Sequence, residues 1–411
     1  MDRTGNAASR RRALIWLAGA PAALHAAWPE FRGPSGQGLA PVGELPLEWD
    51  ETRNVAWKTE IPGRGWSSPV ILDGRTIWLT TATEDGKSLR AVAVDFASGR
   101  VEKDIEVFRD DQLPSSHKKN SQASPTPILE PNRIYLHFGV RGTAALDATG
   151  KVLWKNEEHV FNPVHGAGGS PALWQDLLIF TCDGGDKQYV AAVDKNTGKT
   201  RWTTSRGKSR MSFATPLMIE VGGKPQVICP GGDLAAAYDP ATGEEIWRVT
   251  YDGFSVVPRP VYAHGLVFIV TGFYTPAVTA IRPDGRGDVT GSHVVWRETR
   301  GAPLTPSPIV VGDDLFMVSD NGIASCLEAK TGRRWWQARL GGNASASPIV
   351  VGERIYFSSE AGETTVIAAE REFRELAKNK LDSAILASPA VEGAALLMRT
   401  ENHLYRIETL Q

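Results

Sequence analysis

Short apolar runs separated by turns that contain glycine recur along this chain. The apolar run at 349–351 ends at a Gly-Glu-Arg turn, and a second apolar run follows at 355–357. Two apolar runs joined by a tight glycine turn are typical of a β-hairpin. The pattern therefore predicts an all-β protein of short antiparallel strands.

A phrase of the form Asp-x-x-Thr-Gly-x-x-x-Trp repeats along the chain. Lys103 takes the place of the Trp in the first copy, and Asp147 lies one residue closer to its Gly than the other acidic residues do. The copies begin at Asp95, Asp147, Asp194, Asp239 and Glu328. A regular repeat of this kind indicates a fold built from copies of one supersecondary unit.

A second phrase, a small residue and then Pro before an apolar strand, falls between these copies. Its anchor prolines are Pro69, Pro127, Pro171, Pro216, Pro260, Pro308, Pro348 and Pro389. They lie roughly 40 to 60 residues apart, which is the length of one four-stranded propeller blade. The first interval carries an insertion around 110–122. Four short strands cannot bury both faces alone, so the eight units are expected to stack as blades around a ring.

The two ends of the chain are expected to share one blade. We name the strands of each blade A to D in chain order. Pro389 is followed by three strands, and the missing D strand is supplied by residues 54–59, which contain Trp57. The sequence thus predicts an eight-bladed β-propeller of four-stranded antiparallel blades, closed by the N-terminal Trp57 strand. The large indoles expected to pack between blades are Trp57, Trp154, Trp202, Trp247, Trp296 and Trp336.

The repeated phrase resembles the tryptophan-docking motif of pyrroloquinoline-quinone propellers, over nearly the whole chain after the N-terminus. Two families share this repeat: quinoprotein alcohol dehydrogenases, and the outer-membrane assembly propeller, a non-enzymatic scaffold of the β-barrel assembly machinery. The chain is similar to the second in length and lacks the adjacent cysteines of the first. The resemblance implies a binding or scaffold protein of the cell envelope. A quinone-dependent alcohol or sugar dehydrogenase is the alternative, and a propeller hydrolase or lyase is a third class.

The N-terminus has the three-part layout of a secretory signal peptide: three arginines at 10–12, an apolar run at 13–24, and small residues at Ala26 and Ala27. The run is shorter than the roughly 20 residues that span a bilayer. We expect export by the Sec or twin-arginine route to the periplasm or beyond, without membrane insertion. The predicted segments are a signal peptide at 1–27, a leader at 28–53 and the propeller at 54–411. The leader resembles one found on many bacterial secreted propellers.

Composition and charge limit the classes of partner that we expect. The chain has 42% hydrophobic residues and a formal net charge of −2 at pH 7, so nothing in it is expected to attract nucleic acid. We expect a monomer. Cys182, Cys229 and Cys326 stand far apart in strand-like runs and are expected to be small buried side chains rather than metal or haem ligands.

If the A strands line a central channel, the D-to-A connections and the B-to-C turns lie on one face, which we call the funnel face. Basic side chains there could hold an acidic group, because guanidinium offers two parallel donors to a carboxylate. The predicted ligand-binding residues are Trp66, Lys118, Asn120, Gln122, His165, Arg210, Arg259 and Asn343. We expect them to bind an envelope protein segment or an anionic small molecule. The alternative is that they are solvated loop residues.

Turns at 183–186, 231–233 and 320–322 combine glycine or asparagine with aspartate. They lack the spaced acidic residues of a calcium loop, so we expect hairpin turns. The sequence thus predicts no catalytic residue, no metal site and no cofactor. Pyrroloquinoline quinone with calcium is the alternative, and its candidate residues are Trp66, Asn120 and Asp183.

Overall fold

The computed structural model describes residues 27–40, 44–112 and 115–410. The chain forms eight sheets, each with four antiparallel strands, and the A strands of neighbouring blades contact each other around a central channel. The predicted eight-bladed propeller is confirmed. Except for Ala27, the predicted signal peptide lies outside the described residues. Among the residues that are described, no helix has the length and apolar character needed to cross a membrane.

The blades are numbered from the first anchor proline. Blade 1 consists of Val70–Ile71, Thr76–Ala82, Ser88–Asp95 and Val101–Arg109, and blade 2 of Ile128–Glu130, Arg133–His137, Thr143–Asp147 and Val152–Asn156. Blade 3 consists of Ala172–Trp174, Leu177–Asp183, Gln188–Asp194 and Thr200–Ser205, and blade 4 of Leu217–Val221, Lys224–Pro230, Leu234–Tyr238 and Glu245–Thr250. Blade 5 consists of Val261–Ala263, Leu266–Val270, Val278–Ile281 and Val294–Glu298, and blade 6 of Ile309–Val311, Asp314–Val318, Ile323–Glu328 and Arg334–Arg339. Blade 7 consists of Ile349–Val351, Arg354–Ser358, Glu363–Ala368 and Glu375–Lys380, and blade 8 of Ala390–Glu392, Ala395–Arg399, His403–Ile407 and Val55–Glu60. Two short strands, Leu39–Ala40 and Gly287–Asp288, add to blades 7 and 4, and Gly139–Arg141 forms a 3₁₀ turn.

Burial differs between the middle and the outer strands of a blade. Strand C of blade 4, Leu234–Tyr238, is buried at every position, and it reads as a continuous apolar run. Strand D of blade 3, Thr200–Ser205, alternates between half-buried and exposed positions. Middle strands lie between two neighbouring blades, whereas outer strands present one face to solvent.

Blade 8 is built from both ends of the chain, as predicted. Val55–Glu60 pairs antiparallel with His403–Ile407, and Trp57 lies opposite Arg406. The blade therefore closes the ring through backbone hydrogen bonds between residues that are far apart in sequence.

The repeated phrase joins each blade to the next. Trp154 of blade 2 donates its indole N–H to the carbonyl oxygen of Lys195 in blade 3, at 2.9 Å. Gly198, at φ +73°, lies under the same indole, and a Cβ there would be 2.5 Å from the ring. Trp57, Trp202, Trp296 and Trp336 make the equivalent bond to the following blade. Trp247 differs, because it donates to Gln226 within its own blade.

Residues 28–40 fill the central channel as a hairpin. Trp28 forms an antiparallel bridge with Ile71, whereas Leu39–Ala40 pairs in parallel with Val350 and Val351. Each A strand runs from the funnel face to the opposite face, because it follows a D-to-A connection. The leader therefore enters from the opposite face, turns beneath the funnel and returns.

The leader contacts blades on several sides of the channel. The backbone N–H of Leu129 in blade 2 donates to Pro29, that of Tyr262 in blade 5 donates to the Gln37 side chain, and Arg32 donates to the carbonyl oxygen of Pro308 in blade 6. Further along, Trp49 is buried in the hydrophobic cluster that joins blades 7, 8 and 1. The segment predicted as a separate leader thus packs into the propeller.

All three cysteines, Cys182, Cys229 and Cys326, are buried and unpaired. Burial raises the pKa of the Cys229 thiol to about 12. They are small side chains of the core, in agreement with the prediction.

Candidate functional site: the funnel cavity

The funnel face contains a cavity of about 450 Å³. The D-to-A connections of all eight blades contribute to its lining. Phe31, at the turn of the leader, also lines it, so that the leader closes the channel beneath the cavity. The site is a blind funnel rather than an open pore.

A belt of hydroxyl groups surrounds the cavity. The residue before each anchor proline is Ser or Thr in seven blades, and its side chain accepts a hydrogen bond from the equivalent backbone N–H of the preceding blade in most of them. Thr126 N–H donates to Ser170 Oγ at 2.8 Å, and Ser347 N–H donates to Ser388 Oγ at 2.9 Å. The other such bonds run from Ser68 to Thr126, Ser170 to Thr215, Arg259 to Ser307 and Ser307 to Ser347. The belt explains why a small polar residue precedes the proline.

Arg259 is the exception in this belt. Its side chain is 2% exposed, and its Nη1 donates to the carbonyl oxygen of Phe31 at 2.6 Å. Glu30 Oε1 lies 3.4 Å from the same guanidinium, and burial raises the pKa of this carboxyl. Arg259 was predicted to bind a ligand. The structure instead places it on the leader, below the cavity, because its side chain is longer than the hydroxyl it replaces.

One wall of the cavity is aromatic. Phe213, Phe254 and Phe273 line it from the connections before blades 4 and 5 and from the B-to-C turn of blade 5. Tyr274 extends the aromatic surface to the rim, with its ring centroid 5.4 Å from that of Phe254.

The adjoining part of the lining holds two histidines and an amide, and the His165 ring centroid lies 5.8 Å from that of Phe213. The His117 and His165 ring centroids are 5.6 Å apart, and burial together with the charge of His117 lowers the pKa of His165. Asn120 donates to the carbonyl oxygens of His165 and Ala167, at 2.9 Å each. Asn120 therefore fixes the glycine-rich connection that carries His165.

The structure brings together Trp66, Asn120 and His165 of the predicted residues, and all three line the cavity. The other residues lie elsewhere. Arg210 is exposed and its Nη1 is 3.2 Å from Asp252 Oδ1, and Gln122 lies beside Gly86. Lys118 and Asn343 are exposed and do not line the cavity. The predicted convergence of basic side chains on the cavity is not observed.

Sequence reasoning missed Phe31, Phe254 and Phe273 as cavity residues. They stand in loops, where an apolar residue has no periodic partner to mark its direction. Their positions in D-to-A connections, in a B-to-C turn and in the leader are the signal that could have identified them.

The turns at 183–186, 231–233 and 320–322 were weighed as calcium sites in the sequence. Among the described residues, no group of three or more His, Cys, Asp or Glu side chains is placed to hold a metal ion. Asp183 is fully buried, with Oδ2 2.6 Å from Arg206 Nη1. Burial raises the pKa of Asp183 to about 7 against the attraction of Arg206. Asp183 is thus half of a buried ion pair between blades 3 and 4.

A sequence profile described as "Outer membrane protein assembly factor BamB" matches residues 43–181 and 186–409. This protein belongs to the BamB family. Two curated relatives carry the same description. The Shewanella oneidensis protein is 25% identical over 231 residues, which are 51% of this chain and 55% of that protein. The Burkholderia pseudomallei protein is 26% identical over 285 residues, which are 65% of this chain and 70% of that protein.

Solved structures share the fold of this BamB family member. BamB from Moraxella catarrhalis has a TM-score of 0.61 at 12% identity, covering 86% of this chain and 99% of that one. A europium-containing methanol dehydrogenase has a TM-score of 0.66 at 12% identity, covering 93% and 89%. A computationally designed protein, Ika8, has a TM-score of 0.59 at 10% identity, covering 88% and 99%. A BamB protein, a methanol dehydrogenase and a designed protein thus share one architecture, so function has to be argued from the site.

Proposed function

We propose that this protein is a non-enzymatic scaffold of the bacterial cell envelope, which holds a segment of a partner protein in the funnel cavity. The observation that carries the proposal is the blind cavity, to which all eight blades contribute. Concave sites lined mainly by apolar side chains with a few polar groups are the usual places for ligands. The family and both curated relatives are named for outer-membrane assembly, which supports a partner in the envelope.

The N-terminal signal layout supports a periplasmic or secreted location. We propose export by the Sec or the twin-arginine route. Such a location gives the funnel access to other envelope proteins.

Charge favours a polypeptide over an anionic small molecule. Lys119 and Asp320 are the charged side chains among the described lining residues. Lys119 Nζ lies 2.7 Å from Glu360 Oε1, so that its charge is already balanced. The lowered pKa of His165 favours its neutral form at pH 7. A lining close to neutral has little attraction for an anion.

The lining does not fit a quinone cofactor with calcium. Calcium requires several oxygen ligands, and productive quinone chemistry requires a positioned base beside the metal. Asp320 is the carboxylate in the described lining, and its Oδ2 already accepts the backbone N–H groups of Leu304 and Thr305. Nothing in this arrangement favours the dehydrogenase over the scaffold.

Site-specific photo-crosslinking in cells tests the proposed function. Trp66 is replaced by p-benzoylphenylalanine, a similarly large aromatic residue that would keep the cavity wall filled. The matched control carries the same residue in place of Lys224, which is exposed at the start of strand B in blade 4, next to an A-to-B turn of the opposite face. We expect an adduct with an envelope protein from position 66 and none from position 224.

Two outcomes would contradict the scaffold proposal. One is the same set of adducts from both positions, which would indicate non-specific contact. The other is the absence of an adduct both from position 66 and from a second funnel position, such as Ser345, in variants whose thermal unfolding matches that of the wild type.

A further inference from the structure

Exposed aromatic side chains gather at one side of the funnel rim. Phe273 is 51% exposed and Tyr274 is 69% exposed, although both are large and apolar enough to be buried. Their ring centroids lie 5.1 Å apart, and that of Phe254 lies 5.4 Å from Tyr274. Contiguous apolar surface next to a cavity marks a binding site more often than scattered exposed residues do.

Backbone hydrogen bonds hold this surface in place. Phe213 N–H donates to the carbonyl oxygen of Val256, and Phe273 N–H donates to that of Phe254, both at 2.7 Å. A Cβ at Gly272 would lie 2.5 Å from the Phe254 oxygen, so this approach requires glycine. Three segments from separate loops are thus tied into one wall that presents three phenylalanines.

Two residues of the wall have unfavourable backbone conformations. Tyr274 has φ +75° and Ser255 has φ +54°, values that side chains with a Cβ adopt rarely. Such conformations persist where surrounding structure holds them, and they concentrate at binding sites. The exposed position of Tyr274 is therefore imposed by the turn and is not the result of a loose loop.

The aromatic wall is continuous with a place where the channel already binds polypeptide. Phe31, on the leader hairpin, lines the same cavity as Phe213, Phe254 and Phe273. The leader is held by backbone pairing to Ile71 and Val350, and it presents an aromatic side chain to the funnel. The same channel thus already accommodates a polypeptide segment with an aromatic residue at the cavity.

We propose that the aromatic wall, formed by Phe213, Phe254, Phe273 and Tyr274 above Phe31, binds aromatic side chains on an extended, uncharged segment of a partner protein. This inference rests on the proposed function and names the chemistry of the partner. Aromatic rings stack with each other at centroid distances of about 4.5 to 7 Å, so an incoming ring finds partners on the wall and at the floor. The nearly neutral lining selects against a charged segment.

A peptide series tests the proposal on the full mature chain. The probes are end-blocked peptides Gly-Ser-Gly-X-Gly-X-Gly-Ser with Phe, Ala or Asp at X, because alternate residues of an extended segment face the same side. Ligand-observed NMR titration measures their dissociation constants. We expect the Phe peptide to bind at least about tenfold more tightly than the other two.

Variants locate the binding site. Phe273→Ser and Tyr274→Ser are each expected to weaken binding of the Phe peptide by about tenfold, because each removes one aromatic partner. Val295→Ser is the control, since Val295 is 45% exposed on the outer strand of the same blade. All three positions are exposed, so thermal unfolding should stay close to that of the wild type.

The inference is overturned if the Phe peptide binds no more tightly than the Ala peptide, if the Asp peptide binds best, or if both wall variants bind like the wild type. Loss of this inference alone would leave the crosslink from position 66 intact. Failure of the proposed function would remove that crosslink as well.

Discussion

The glycine of the repeated phrase has two separate roles that a substitution can resolve. At Gly198 it adopts φ +73° and also leaves room for the Trp154 indole of the preceding blade. Gly223, in an A-to-B turn, has φ +74° but no heavy atom within 4 Å of where its Cβ would be. The two positions share the backbone conformation and differ in the contact.

We therefore expect Gly223→Ala to lower the free energy of unfolding by about 1 kcal/mol, from backbone strain alone. Gly198→Ala should lower the free energy of unfolding by roughly 1 to 3 kcal/mol more than Gly223→Ala, because the methyl group displaces the Trp154 indole. Chemical denaturation measures both values. Equal losses would mean that the contact with Trp154 contributes nothing.

His137 makes stability depend on pH. It is buried, its Nδ1 lies 2.8 Å from Thr143 Oγ1, and its ring centroid lies 4.6 Å from that of Phe180. Burial lowers the pKa of His137 from 6.5 to about 3. Because the unfolded chain takes up this proton first, the stabilisation is present above about pH 6.5 and is lost as the pH falls toward 3.

In His137→Gln, an amide keeps a hydrogen bond to Thr143 and removes the titration. The unfolding free energy of the wild type should therefore fall more steeply between pH 6.5 and pH 3 than that of the variant, by up to about 4 kcal/mol at the acid end. Denaturation curves over this range make the comparison. Parallel pH profiles would contradict the assignment.

At the scale of elements, the leader hairpin depends on Arg259. Arg259→Ser restores the belt hydroxyl but leaves the largely buried Glu30 without its partner, which should cost about 3 kcal/mol. The leader amides should also exchange hydrogen faster. Arg210→Ser is the matched control, because Arg210 and Asp252 form an exposed pair and their loss should cost less than about 1 kcal/mol. Equal stability of the two variants would show that Arg259 does not hold the leader.

Some elements could be predicted from sequence and others could not. The anchor prolines and the Trp57 strand predicted the blades and the ring closure, because each blade repeats one local pattern. The leader's place in the channel has no such pattern, since its partners, such as Ile71, Tyr262 and Val350, are spread over several blades. The sequence shows that Arg259 is the one residue before an anchor proline that lacks a hydroxyl group. The direction of its side chain could not be predicted, because a loop cation can point to solvent, to a ligand or into the core.

At the scale of the whole molecule, the ring and its leader together form the funnel cavity. The fold is shared with both a BamB protein and a methanol dehydrogenase, at TM-scores of 0.61 and 0.66, so the choice between binding and catalysis depends on the cavity. Its aromatic wall, its hydroxyl belt and the engaged carboxylate of Asp320 suit the binding of polypeptide. We therefore propose that this propeller binds a partner and does not catalyse.

The most direct test of that claim is reconstitution of the purified mature protein with pyrroloquinoline quinone and calcium, followed by dye-linked oxidation of alcohols and sugars. The quinone carries carboxylates, so weak binding through charge would not itself indicate an enzyme. We predict no turnover above that of the free cofactor, with or without a chelator. Quinone-dependent turnover above this background that the chelator abolishes would contradict the scaffold account.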